Sequence, residues 1–246
     1  MNKIETQMGG SHERFPTTHW SMVLGCHSEE EEDKKEESLK RLIETYWRPV
    51  YRYIRFQGLS IEHAKDMTQD FLCHFIEKEL ANRYDKDRGR FRAFLKGAVK
   101  IYLARERSKK ALLKRGGDRQ ILSLDVEKVE SDPSGSSDIQ SPEEAFDRQW
   151  VNDVLTQSVQ TVETEFATKG KQDYFQVYQA HRLQQEGSSK VTYDQLAEQF
   201  GITPHQVKHY LTVVRDRIHK QIRKTVSDGV TSESELAAEM SELFDL

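Results

Sequence analysis

Basic side chains recur at one-turn spacing between Arg90 and Arg119, and they are the first group in this sequence whose chemistry points to a ligand. Arg92, Lys96 and Lys100 are four residues apart, so they share one face of a helix. Cations in such a row can follow the phosphates of a nucleic-acid backbone, and neighbouring aromatic rings can stack on unpaired bases. The same spacing also fits an ordinary solvated face of lysines and arginines.

A second polar and basic group lies in the stretch Tyr193–Leu211. Ala197 is small where two helices would cross, Gly201 suits a left-handed turn four residues later, and Val207 has the spacing of a core residue. Thr203 would cap the second helix. This pattern predicts a helix-turn-helix, with its second helix in the major groove of duplex DNA.

The side chains predicted to contact DNA from this motif are polar or basic and lie on one helix. They are Thr203, His205, Gln206, Lys208, His209, Thr212 and Arg215, and the cations farther along are Arg217, Lys220, Arg223 and Lys224. His205 and His209 also have the i, i+4 spacing of metal ligands. No glutamate completes an HExxH arrangement and no third ligand is near in the sequence, so we predict base or phosphate contact and no metal.

The sequence has no motif that would support catalysis or hold a cofactor. A Walker loop, a dinucleotide fingerprint and a GxSxG elbow are all missing. The 2 cysteines give no disulfide framework, which fits a reducing compartment. No apolar run approaches the ~18 residues of a membrane span, and we see no signal-peptide core. We therefore expect a cytoplasmic protein that is not an enzyme, needs no cofactor and does not insert into a membrane.

The formal net charge of -4 conceals a strong segregation of sign along the chain. Residues 83–119 contain 14 Lys/Arg and 4 Asp/Glu, whereas residues 29–37 contain 7 acids and 2 lysines. Residues 226–246 contain 6 acids and no Lys or Arg. This asymmetry is typical of a nucleic-acid-binding surface with acidic segments on either side of it.

Helical periodicity predicts an all-α protein of two helical domains joined by a flexible linker. We place the first domain at 13–117, the linker at 118–141, the second domain at 142–224 and an acidic tail at 225–246. The tail has apolar residues at helical spacing, so it would form a short amphipathic helix on the second domain. It could also mask the recognition helix.

Individual residues mark where several helices begin, bend and end. Ser60 would cap one helix, and the run Ser141-Pro-Glu-Glu144 would start another. Pro49 should kink or split the helix that contains it. A helix from Gln172 to about Gln185 would bury Tyr174 or Phe175, Val177 and Tyr178, with Leu183 as a further candidate.

The helix beginning at Ile61 has one apolar face and one acidic face. Its outer side carries Glu62, Asp66, Gln69, Asp70 and Glu77. Such a face is a solvated surface in many soluble proteins, but it also suits a docking strip for a basic partner. Both interpretations remain open from the spacing alone.

The acidic helix, the basic helix and the helix-turn-helix all resemble parts of one protein family. The run from His63 to Ile76 (HAKDMTQDFLCHFI) is similar to the D-A-x-D-x-x-Q-D/E-x-F pattern in region 2 of bacterial sigma factors. Gly89–Leu95 (GRFRAFL) with its basic helix resembles the promoter-melting part of that region, and the helix-turn-helix corresponds to region 4. The short chain resembles the extracytoplasmic-function (ECF) group, and Phe15–Trp20 (FPTTHW) resembles a signature of planctomycete-type members.

The resemblance implies specific partners and residue roles. Core RNA polymerase would be bound by Glu62, Asp66, Gln69 and Asp70. Promoter DNA would be bound and held open by Arg90, Arg92, Lys96, Lys100, Tyr102, Arg105 and Arg107. It also allows for a regulatory partner such as an anti-sigma factor. Two rivals stay open: a helix-turn-helix regulator that acts without polymerase, and a helical adaptor or anti-sigma-like protein whose basic helix contacts only protein.

Overall fold

A computed structural model describes residues 7–8, 32–78, 80–85, 90–110, 123–124, 139–185, 192–227 and 233–244. The signature predicted at 15–20 lies outside these ranges. The predicted linker lies outside them for the most part. Within the described ranges the fold is all-α, as predicted.

Eight α-helices and one short 3₁₀ helix account for nearly all of the regular structure in these ranges. The helices are α1 (Glu32–Arg55), α2 (Ile61–Glu77), α3 (Phe91–Lys110), α4 (Pro142–Thr168), α5 (Gln172–Gln185), α6 (Tyr193–Phe200), α7 (Pro204–Ser227) and α8 (Glu233–Phe244), and the 3₁₀ helix is Leu80–Arg83. Two-residue strands β1 (Gln7–Met8) and β2 (Ser123–Leu124) pair in parallel. None of these helices has the length and apolarity needed to cross a bilayer.

The chain divides into two compact units. Unit 1 comprises Met1–Asp153 with Val226–Leu246, and unit 2 comprises Val154–Thr225. The division differs from the predicted boundaries, because the first turns of α4 and the acidic tail both belong to unit 1. The expectation that the tail helix folds on the second domain is therefore wrong, and the reason is an ion-pair network described below.

Helix α1 forms the centre of the core of unit 1. Its buried stripe consists of Leu42, Ile43, Tyr46, Trp47, Val50, Tyr51, Tyr53 and Ile54. The helix continues through Pro49, so of the two expected effects, a kink or a split, the split is wrong. Proline removes one backbone hydrogen bond, but the burial of so many large side chains around it favours an unbroken helix.

The predicted helix starts are confirmed by their hydrogen bonds. The backbone N–H of His63 donates to Ser60 Oγ over 3.3 Å, and that of Glu144 donates to Ser141 Oγ over 3.1 Å. Each bond satisfies an N–H group that has no partner within its helix. These caps fix where α2 and α4 begin.

Unit 2 has a small apolar core at the meeting of α5, α6 and α7. Its buried members are Val177, Leu196, Ala197, Val207 and Leu211, with Phe200 and Ile202 partly buried beside them. The predicted motif residues in this set are thus core residues. Leu183, in contrast, is 63% exposed, so its expected burial is wrong.

Candidate nucleic-acid interface

Helix α3 packs its apolar face against α1 and α2. Phe71 of α2 meets the ring of Tyr102 at a centroid distance of 5.5 Å, and Phe75 meets Phe94 at 6.5 Å. Tyr102 is therefore 9% exposed and lies in the aromatic core. Tyr102 was predicted to stack on unpaired bases, but in this structure its ring packs against neighbouring aromatic rings.

Arg92 lies inside an ion-pair network rather than on an exposed basic face. It is 5% exposed, and its guanidinium lies 4.7 Å from the ring centroid of Trp150. Nε donates to Glu239 Oε1 over 2.8 Å, and Nη1 donates to Asp147 Oδ1 over 2.6 Å. Two carboxylates from helices distant in sequence, α4 and α8, thus share one guanidinium.

Other cations of the same stripe are also paired with acids. Lys96 donates to Asp147 Oδ2 over 2.7 Å, and Arg90 forms an ion pair with Glu239. Lys100 remains 72% exposed and lies 3.5 Å from Glu143. The N-terminal half of α3 is therefore largely neutralised within the chain.

Glu143 joins this network to the core of unit 1. Tyr53 donates its hydroxyl to Glu143 Oε1 over 3.1 Å. Burial raises the pKa of the Glu143 carboxyl, but its backbone, Tyr53 and Lys100 outweigh that effect, so the net pKa lies below its usual range. Burial, with help from Glu143, raises the pKa of Tyr53 to about 12. The carboxylate is thus held in its charged form, facing a cation of α3.

Two basic side chains of α3 that follow Ala104 point to solvent. Arg105 and Arg107 are exposed, and Arg107 donates to the side-chain oxygen of Gln57 over 2.7 Å. A cation on an exposed helical surface can approach a phosphate without breaking a buried contact. Of the predicted α3 set, Lys100, Arg105 and Arg107 are therefore the exposed members.

The acidic face of α2 is on the surface. Glu62 and Asp66 are exposed, and Gln69 and Asp70 are half-buried. The opposite side of α2 is anchored by Ala64, Thr68, Phe71, Leu72 and Phe75, all buried. The helix therefore holds its carboxylates in fixed positions toward solvent.

The turn that joins α6 to α7 has the geometry that the sequence predicts. Gly201 adopts φ +64° and ψ 33°, in the left-handed region that glycine enters with little cost. Its N–H donates to the carbonyl of Glu198 over 3.3 Å, and that of Ile202 donates to the carbonyl of Ala197 over 3.0 Å. Three residues, 201–203, then lead directly into α7.

The predicted groove-facing side chains of α7 lie together on its surface. His205, Gln206, Lys208, His209, Thr212 and Arg215 are all exposed, as is Thr203 in front of them. The buried residues Val207, Leu211 and Val214 occupy the other side of the helix. The fold of unit 2 thus leaves one continuous polar face on α7.

Two members of this face also hold the start of the helix. Gln206 N–H donates to Thr203 Oγ1 over 3.2 Å, and Thr203 N–H donates to Gln206 Oε1 over 2.8 Å. This reciprocal pair is a capping box. The side-chain oxygen of Gln206, Oε1, therefore accepts a hydrogen bond within the chain. The side-chain nitrogen, Nε2, is the group left to donate to a base.

Some cations at the edge of this face have protein partners. Arg217 donates to Glu165 Oε2 over 2.7 Å, and Lys169 donates to Glu165 Oε1 over 2.6 Å. These two hydrogen bonds, the one from Lys169 being the stronger influence, lower the pKa of Glu165. An Arg215 nitrogen lies 3.4 Å from Nδ1 of His181, which is buried.

The sequence did not predict roles for Glu239 and Asp147, the two acids that bind Arg92. Each sits on a helix whose acids look like ordinary solvated side chains in sequence. Glu239 falls at the spacing of the apolar residues Leu236, Met240 and Leu243, within one helical turn of them. An acid on the apolar face of a predicted helix is the signal for a buried cation partner.

No group of three or more metal-ligating side chains comes together in the described part of the chain. Comparison of the protein with family models, with curated proteins and with solved structures finds no match.

Proposed function

We propose that this protein is a transcription initiation factor of the sigma type, which binds core RNA polymerase and directs it to promoter DNA. The observation that carries the proposal is the pairing, in one chain, of an outward acidic face on α2 with a capped, exposed polar face on α7. The first face suits a basic protein partner and the second suits the major groove.

The role of α7 in this proposal is to read duplex DNA. Lys208 and His209 lie on its exposed face, and Gln206 retains a donor toward the groove. Side chains of these types make hydrogen bonds to base edges and to phosphates. Unit 2 is small, but its core fixes the helix from the other side, so the reading face is preorganised.

The role of α3 is to hold an unpaired strand by charge. Arg105 and Arg107 are accessible for this task, while Arg90, Arg92 and Lys96 are held by carboxylates. No bond is made or broken in this role, so the factor needs neither catalytic residues nor a cofactor. Such a factor works in the cytoplasm, with polymerase and promoter DNA as its partners.

The experiment is run-off transcription with core polymerase that lacks its own initiation factor, on a library of genomic fragments. We expect the full chain to produce transcripts from discrete start sites. The variant Asp66→Lys should lose them, because it reverses the charge of the acidic face. A lysine at 66 is four residues from both Glu62 and Asp70, so ion pairs within α2 favour the helix and the fold should persist.

The matched control is Glu163→Lys, which makes the same charge reversal on the exposed surface of α4 in unit 2. It should transcribe as the unaltered chain does. The proposal fails if the full chain yields no discrete start site with core polymerase.

The second candidate is a regulator that binds duplex DNA without polymerase, and the well-defined helix-turn-helix favours it. In that case Asp66→Lys would bind duplex DNA normally, and neither form would associate with core polymerase. Co-migration of the chain with core polymerase on size exclusion separates the two functions.

A further inference from the structure

Helix α8 places a carboxylate beside Arg90 and Arg92, two cations that the family resemblance assigns to promoter DNA. Glu239 is 4% exposed, and it accepts from Arg92 and pairs with Arg90. Leu236, 3% exposed, anchors the same helix three residues earlier. The contact between α8 and the start of α3 therefore consists of buried ion pairs, and the helix that supplies the carboxylate also buries an apolar residue.

A glutamate and a DNA phosphate bind an arginine through the same kind of contact. Both present oxygen anions to the N–H groups of the guanidinium, in bidentate geometry where it is available. Arg92 donates from Nε and Nη2 to Glu239 and from Nη1 to Asp147, so each of its three nitrogens already has a carboxylate partner, and the residue is 5% exposed. A phosphate can reach Arg92 only if one of these carboxylates leaves.

Glu239 is the carboxylate whose helix is the easier to detach. Asp147 lies in α4, whose 27 residues include the buried Phe146 and Trp150. Glu239 lies in α8, which has 12 residues near the end of the chain. Residues 226–246 carry 6 acids and no Lys or Arg, so the segment is repelled by DNA and attracted by α3.

We propose that α8 is an internal anion that occupies Arg90 and Arg92 and must be displaced before a nucleic-acid strand binds the N-terminal half of α3. The inference rests on the proposed function, and it names a regulatory contact for the same surface. It also gives the tail a contact that the sequence did not predict, with Arg90 and Arg92 of unit 1.

The experiment measures binding of a labelled single-stranded DNA oligonucleotide of mixed sequence by fluorescence anisotropy, without polymerase. The variant Glu239→Gln keeps an oxygen acceptor for Arg92 but removes the charge. The matched control, Glu233→Gln, removes the same charge from an exposed position on the same helix. We expect Glu239→Gln to bind roughly three- to tenfold more tightly than the control at low salt, with a steeper salt dependence.

If Glu239→Gln binds no more tightly than Glu233→Gln, the inference is overturned. Should circular dichroism show that Glu239→Gln is unfolded, a chain that ends at Val230 decides instead. Tighter binding by that chain supports the inference, and unchanged or weaker binding overturns it.

Run-off transcription separates this inference from the proposed function. If the full chain directs discrete start sites while Glu239→Gln shows no gain in DNA affinity, only the displaced-helix inference fails. If Glu239→Gln gains affinity while the full chain gives no transcript with core polymerase, only the sigma-type function fails.

Discussion

Helices α3 and α7 are both predicted from sequence to bind DNA, yet the fold treats their polar side chains in opposite ways. In the first turns of α3, Arg92 is buried between carboxylates, whereas Lys208 and its neighbours on α7 are on the surface. A row of cations at helical spacing therefore does not establish which of them can reach a ligand. Whether a cation can reach a ligand depends on its pairing with acids far away in the sequence.

The largest effect should come from removing Arg92. In Arg92→Ala the buried carboxylate of Glu239 and the half-buried carboxylate of Asp147 lose the guanidinium that they share, which should destabilise unit 1 by about 3–5 kcal/mol. Urea unfolding followed by circular dichroism measures the change. The control Arg105→Ala, on the exposed part of α3, should stay within about 0.5 kcal/mol of the unaltered chain. Equal effects of the two variants would contradict the contrast between buried and exposed cations.

A charge reversal on α7 should have little effect on stability and a large effect on DNA. Lys208→Glu places an anion on the exposed polar face, so affinity for duplex DNA should fall by about tenfold or more at low salt. Titration of a labelled duplex measures it. Lys40→Glu, the same reversal on the exposed surface of α1, is the control and should cause only a small loss. If both variants lose affinity equally, the face of α7 has no special role.

The turn before α7 offers a smaller change. Gly201 has positive φ, and a Cβ built on it meets no atom within 4 Å, so alanine adds backbone strain without a clash. We expect Gly201→Ala to destabilise unit 2 by about 1 kcal/mol, and Gly201→Asn by less, because asparagine tolerates this region better. Thermal unfolding of the two variants checks the order, and a reversed order would contradict the assignment of strain.

The smallest effect should be a pH dependence from His181. Burial, and next the charge of Arg215, lower the pKa of this imidazole below its usual value of 6.5. The unfolded chain therefore binds the proton more readily, so stability from this group is complete above about pH 6.5 and falls as the pH drops below that value. In His181→Gln this part of the slope should vanish. Denaturation midpoints between about pH 7.5 and pH 5 measure it, and unchanged slopes would contradict the prediction.

The sequence determined the local structure of the candidate site well. Serine, threonine and glycine at Ser60, Thr203 and Gly201 fixed helix starts and a turn, because caps and positive φ depend on one residue and its near neighbours. The apolar stripes of α2, α3 and α7 likewise face the core as periodicity predicts. For Pro49 and Leu183 the local rule was wrong, since packing decided whether the helix broke and whether the side chain was buried.

Only the tertiary structure decided which charges are available to a partner. The helix spacing of Arg92 and Lys96 is a local property, but their pairing depends on Asp147 and Glu239, 55 and 147 residues from Arg92 in the chain. Coulomb attraction in a buried site acts between groups that folding brings together, whatever their separation in sequence. For that reason the acidic tail could be recognised from composition, whereas its place on α3 could not.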